Sequence, residues 1–238
     1  MQLADHFATL CQTRAYSPAV SFRGATHCFR ELVTHGWQVG NGLLGIGLPR
    51  RARVAIVAHN RPEFFELLIG AGASGRALAV LDWRLTAAQL AEQLAEAGSR
   101  VLFVARDCYD VIDTIAPRLD NLRCIIALDG EHRRWPEYRR WRNAQLATRP
   151  KVRAGDDDEL LHLYADASGG EARGIELTNR VYEKLLQALP SRRAPGGPAA
   201  VPNRMPLLHP RGVNRSLMPL LRGAHLQLLE DSREALAG

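Results

Sequence analysis

The feature that most limits the fold is an alternation beginning at residue 53, where short apolar runs are separated by stretches with helical spacing. This is the pattern of βαβ units: a strand covered on both faces reads as a continuous apolar run, and the crossover helix supplies the cover. Arg53 to Ala58 (RVAIVA) reads as the first such strand. Pro62 stands where a first helical turn tolerates proline, Phe64, Phe65, Leu67, Leu68 and Ile69 supply a buried surface, and Gly72 to Gly75 ends the helix. Leu78 to Leu81 returns as a strand. Thr86 with Gln89 makes a capping-box pattern, Leu90 and Leu94 lie one turn apart, and Gly98 is placed as a stop. Arg100 to Val104 and Arg123 to Leu128 read as further strands, with Asp107 capping a helix between them. The expected class is α/β, doubly wound, with a largely parallel sheet.

Upstream, Phe29, Leu32, Val33, Trp37 and Leu44 have helical spacing, against which Gly36, Gly40 and Gly42 each cost roughly 1 kcal/mol. Downstream, Glu159 to Tyr164 reads as a strand, Ala165 to Gly174 as a polar loop and Thr178 as the cap of a helix reaching about Leu189. Residues 191–202 form a Pro/Gly-rich connection. It divides an α/β subdomain, residues 1–190, from a partial second one, residues 203–238, with a strand near Met205 to Leu208, a helix near Val213 to Leu221 and a strand at Ala224 to Leu229.

Composition excludes several classes. Apolar residues make up 46% and charged residues 24%, as in ordinary globular domains. No run approaches the roughly 18 apolar residues of a membrane span. The first residues lack the basic start and apolar block of a secretory signal, so the cytoplasm is the expected location. Cys11, Cys28, Cys108 and Cys124 form no C-x-x-C pair and no histidines show H-x-x-x-H spacing, so no metal site is expected and His59 and His162 read as packing or surface residues. The formal charge of +6 comes almost wholly from arginine. Arg133 to Arg142 (RRWPEYRRWR) has the composition of a surface that stacks on bases and contacts phosphates, or of a solvated helix whose aromatics pack on the sheet. The first reading would make the chain an Arg-rich module for nucleic acid or an acidic partner. The second leaves nucleic acid out.

The stretch richest in candidate chemistry runs from Glu159 to Leu189: strand, small-residue loop, helix. Such a turn can aim backbone N–H groups at a phosphate. Leu160 to Asn179, L-L-H-L-Y-A-D-A-S-G-G-E-A-R-G-I-E-L-T-N, resembles the phosphate-binding signature of the adenylate-forming (acyl-CoA synthetase, AMP-binding ligase) superfamily, Y-T-S-G-T-T-G-x-P-K-G-V-x-L-T-H, with Tyr164, Gly170, Gly174, Leu177 and Thr178 matching. Gly45 to Phe64 is similar to the family's G-D-R-V-A-I-x-x-x-N-x-P-E-F block, and Leu81 to Leu94 to its P-L-N-x-R-L-T-x-x-E-L stretch. Met205 to Gly212 (M-P-L-L-H-P-R-G) is similar to P-L-F-H-x-x-G near the acyl pocket, and R-G-A-H-L-Q-L-L follows in family order.

The resemblance implies an AMP-forming carboxylate ligase, with ATP and Mg as ancestral ligands and an acyl or aryl carboxylate as substrate class. It also locates departures. Asp166 replaces Ser, Ala167 Gly, Ser168 and Gly169 the two Thr, and Arg173 the Lys. Hydroxyl donors are lost, and a planar fork replaces a compact ammonium. Five acids lie between Asp156 and Gly170, and their repulsion of a triphosphate is expected to leave ATP bound more weakly than about 1 mM. Ser168, Gly169, Gly170, Arg173 and Gly174 are then a remnant phosphate loop, and His209 borders the acyl group or serves as a structural histidine at a strand end. The family's second half, with its C-terminal lysine, is absent from these residues. The resemblance therefore implies a degenerate, truncated relative with no catalytic residue and no bound cofactor, or the N-terminal half of a split ligase. It further implies an uncovered apolar face, closed by self-association or a protein partner.

Overall fold

The computed structural model describes residues 2–152, 154–165, 173–188 and 200–231. Two sheets organise them. The larger has six strands in the order β6-β5-β3-β4-β7-β8: β3 (Arg53–Val57), β4 (Ala77–Leu81), β5 (Val101–Val104), β6 (Cys124–Ala127), β7 (Glu159–Ala165) and β8 (Arg173–Thr178). All its pairings are parallel except β7 with β8. The smaller has the order β2-β1-β10-β9, from β1 (Pro18–Phe22), β2 (Ala25–Cys28), β9 (Val201–Asn203) and β10 (Leu226–Leu228). The segment after the Pro/Gly-rich connection thus shares a sheet with residues near the start of the chain.

Two apolar cores flank the large sheet. Val54 and Ile56 of β3 face one, while Ala55 and Val57 face the other, as the two-residue side-chain period of a strand requires. The first core is closed by α1 (Leu3–Thr13), α2 (Phe29–Gly45) and α3 (Glu63–Ser74), the second by α4 (Ala87–Ala97) and α5 (Tyr109–Ile115). Helices on both faces are the doubly wound arrangement. The glycines of α2 are contact points. A Cβ at Gly36 would lie 2.5 Å from the Ile69 side chain, and one at Gly42 2.4 Å from the Trp141 ring. The propensity cost is exchanged for close approach of α3 and of the short helix α6 (Tyr138–Asn143).

Local signals placed α4 accurately: Thr86 caps it, its box with Gln89 forms, and Gly98 closes it in the left-handed conformation at φ 59°. Several expectations are corrected. Asp107 does not cap α5; it lies within a 3-10 turn, Arg106–Cys108, and the helix starts after Cys108 without a side-chain cap. The strand expected near Met205 is β9, a few residues earlier, because Leu226, Gln227 and Leu228 pair with Val201, Pro202 and Asn203. The expected polar loop from Ala165 to Gly174 is shorter, since Arg173–Thr178 forms β8. After β8 come α7 (Asn179–Ala188) and, beyond β9, α8 (Pro210–Leu221). Most of the connection, residues 191–199, lies outside the described residues. Among the described residues, no helix is long and apolar enough to cross a membrane. Among the described residues the large exposed apolar side chains are Tyr16, Leu146, Val181 and Val201.

Candidate functional site

The remnant loop joins two antiparallel strands. β7 and β8 pair from Glu159↔Thr178 to Ala165↔Arg173, so residues 166–172 cap a hairpin. Ser168, Gly169 and Gly170, with Asp166, Ala167 and Glu171, lie outside the described residues. Helix α7 starts at the other end of the hairpin: the Asn179 N–H donates to the Asp158 carbonyl and its side-chain amide to the Gly155 carbonyl. The strand, loop and helix expected from sequence therefore do not adjoin. A six-residue strand separates residues 166–172 from the helix N-terminus along the chain.

The acidic run is also placed differently. Asp157 pairs with Arg180 at 2.7 Å. Asp158, almost fully buried, receives Arg51 at 2.6 Å; the Gly155 N–H and then Arg51 hold its carboxyl below the usual range, against burial. Glu159 pairs with Arg53 at 2.6 Å. Burial acts to raise its pKa, but bonds from His162 and Arg53 outweigh it and lower it. These acids cluster at the foot of β7, partnered by arginines distant in sequence. Asp157, Asp158 and Glu159 thus each carry an arginine partner rather than standing as unpaired charges.

Of the remnant residues, Arg173 stands in β8 opposite Ala165, and Gly174 opposite Tyr164. Gly174 lies over the His162 ring. The Tyr164 hydroxyl donates to the Glu96 carboxylate and to the Gln93 carbonyl, and burial followed by Glu96 raises its pKa, keeping it protonated. His209 is half-buried at the N-cap of α8, where Nδ1 accepts from the Arg211 N–H at 3.1 Å.

Asn60 carries more of the architecture than sequence reading indicated. Only 2% exposed, it accepts from the Leu207 N–H at 2.8 Å. Its amide donates to the carbonyls of Met205 and Leu229, and its own N–H donates to Asp231. The segment before His209 and the strand end after β10 are thereby fixed to the carboxyl end of β3. A cleft of about 240 Å³ opens there, lined by Phe22, Arg23, His59, Asn60, Arg106 and Asp129 among others. Since β4 follows on one side of β3 and β5 on the other, this is the crevice where open α/β sheets usually receive ligands. Arg61 crosses it, paired with Asp129 at 2.8 Å and Glu63 at 3.0 Å.

In Arg133 to Arg142 the aromatic side chains turn toward the protein. Trp135 and Tyr138 are buried, Arg142 pairs with Glu66 at 2.9 Å, and Arg133 and Arg134 both reach Asp113.

A doubly wound sheet and a second, mixed sheet locked to it by Asn60 define an α/β architecture built from two sheets. The chain belongs to the AMP-binding enzyme family, whose model matches residues 7–237. It is 28% identical over 191 residues to the fatty acid–[acyl-carrier-protein] ligase ScoC of Streptomyces coeruleorubidus, covering 77% of this chain and 35% of that protein. To the long-chain-fatty-acid–CoA ligase FadD13 of Mycobacterium tuberculosis it is 27% identical over 137 residues, 58% of this chain and 26% of that one. The chain thus spans about a third or less of these relatives. Its fold matches the N-terminal domain of FACL13 from Mycobacterium tuberculosis, TM-score 0.84 at 18% identity over 99% of this chain and 59% of that one. It also matches the anthranilate CoA ligase AuaEII in complex with anthranoyl-AMP, TM-score 0.87 at 19% identity over 100% of this chain and 46% of that one.

Proposed function

We propose that residues 1–238 provide the N-terminal scaffold of a carboxylate-activating ligase in the cytoplasm, and that this chain does not form acyl-adenylates unaided. The observation that carries the reading is the loop's chemistry. In a chain of this family, Asp166, Ala167, Gly169 and Arg173 stand where its signature has Ser, Gly, Thr and Lys. Adenylation depends on donors and positive charge fixed around the α-phosphate, and the substitutions remove hydroxyls and add a carboxylate. With the foot of β7 neutralised by arginines, the weakness is assigned to the loop residues alone. ATP binding weaker than about 1 mM is expected on that account.

The relatives' names, a fatty-acid ligase and a feruloyl-CoA synthase among them, support an acyl or aryl carboxylate as the ligand class, with His209 at the edge of its pocket. ATP–pyrophosphate exchange with a panel of carboxylic acids tests the reading; robust exchange by the isolated chain overturns it. Calorimetric titration with Mg-ATP tests the loop, and a micromolar Kd that vanishes in Arg173→Ala would show a working site.

A further inference from the structure

We propose that Glu159, His162 and Glu176 form a binding site for a divalent transition-metal ion, of which Zn²⁺ is the natural probe. Each presents one ligand atom, and these atoms lie within 4.8 Å of one another. The grouping is a product of the β7–β8 hairpin. His162 and Glu176 are register partners across the ladder, and Glu159 lies three residues before His162 on β7.

The histidine is the second, independent observation. Its side chain is 2% exposed. Nδ1 faces Glu159 at 2.8 Å. Nε2 is buried without a hydrogen-bond partner and points toward Glu96, whose carboxylate is 3.7 Å away. A buried imidazole nitrogen without a bond is costly in a purely structural cluster. Coordination of a metal through Nδ1 would put the ring proton on Nε2, which faces the Glu96 carboxylate at 3.7 Å, the side from which an outer-sphere partner would approach.

Charge points the same way. Glu96, Glu159 and Glu176 bring three negative charges, and Arg53, bonded to both Glu159 and Glu176, brings one positive. The carboxylates thus outnumber the arginine, an excess of negative charge that a divalent cation would offset. One nitrogen and two carboxylate oxygens are a donor set that Zn²⁺ accepts, with solvent as a further ligand. Ions can enter, since Glu176 is 61% exposed. Held there, a cation would fasten β8 to β7 beneath the loop. The proposal does not depend on the ligase reading.

The tag-free 238-residue chain, freed of metal, is titrated with ZnCl2 by calorimetry and with Co²⁺ by visible absorption. Saturable binding of one equivalent, with Co²⁺ ligand-field bands, is expected. Glu176→Gln, a surface change, should weaken it at least about tenfold, whereas His59→Gln, in the separate His59–Asp231 pair at 3.1 Å, should not. His162→Gln should abolish the Co²⁺ bands. Zn²⁺ should raise the thermal midpoint of the parent but not of Glu176→Gln. Absence of saturable binding, unchanged affinity in Glu176→Gln, or loss of binding in His59→Gln overturns the assignment.

Discussion

Gly174 and His162 approach so closely across the β7–β8 hairpin that a Cβ on residue 174 would stand 2.5 Å from Nε2 of the imidazole and 3.1 Å from Oε1 of Glu96. The glycine that matches a phosphate-loop signature is therefore also required by packing. His162 is buried and held by Glu159, so it has little room to retreat. Gly174→Ala should destabilise the chain by about 1–3 kcal/mol in urea unfolding. Adding His162→Ala should recover most of that loss. If the double variant is no better than the single one, the contact is not the cause.

Asn60→Ala would leave the Leu207 N–H and the carbonyls of Met205 and Leu229 without their partner in a buried setting. A loss of about 2–4 kcal/mol is expected. Limited proteolysis should find cleavage concentrated near residues 204–209, because the segment loses its attachment to β3.

Glu66 is a buried carboxylate bonded to His35, Tyr138 and Arg142 at 2.9, 2.7 and 2.9 Å. Removing one partner of a buried pair leaves the other charge uncompensated, so Glu66→Gln should cost about 3–5 kcal/mol. Glu66→Met with Arg142→Met should cost less than the single change. Equal losses would mean that packing volume, not charge, sets the effect.

Asp129 supplies a pH dependence. Burial acts to raise its pKa, but the hydrogen bond and charge of Arg61 prevail and hold it below 3.8 in the folded chain. Its contribution to stability is thus complete above the unfolded value and disappears as pH falls through the lower, folded one. Thermal midpoints should drop in acid below about pH 4, and Asp129→Asn should flatten that part of the profile while lowering the plateau near neutrality.

What was legible in the sequence was whatever a few adjacent residues decide. Thr86, Gln89 and Gly98 delimit α4 through their own backbone bonds, and the apolar runs of β3 to β6 need only a sheet with two covered faces. What was hidden depends on residues far apart. Arg173 to Thr178 has a glycine and two charges and reads as the end of a loop; it becomes a strand because β7 offers it a ladder. Val201 to Asn203 carries a proline and merges with the connection before it, until β10 pairs with it. The acids from Asp157 to Glu159 look like a repulsive patch because their partners Arg51, Arg53 and Arg180 come from other elements. The Glu159–His162–Glu176 group escaped spacing rules for the same reason, since Glu176 joins it across the hairpin.

The pairing of β1 with β10 places Val20 beside Leu226, and so sets a timetable for synthesis. At about 5–20 residues per second, the first strand of the small sheet waits on the order of ten to forty seconds for its neighbour. During that interval the β1–β2 hairpin has an unpaired edge, while β3 to β6 and their helices can already close around their own cores. A chaperone that shelters extended strands would find its target in residues 18–28 of the nascent chain rather than in the large sheet.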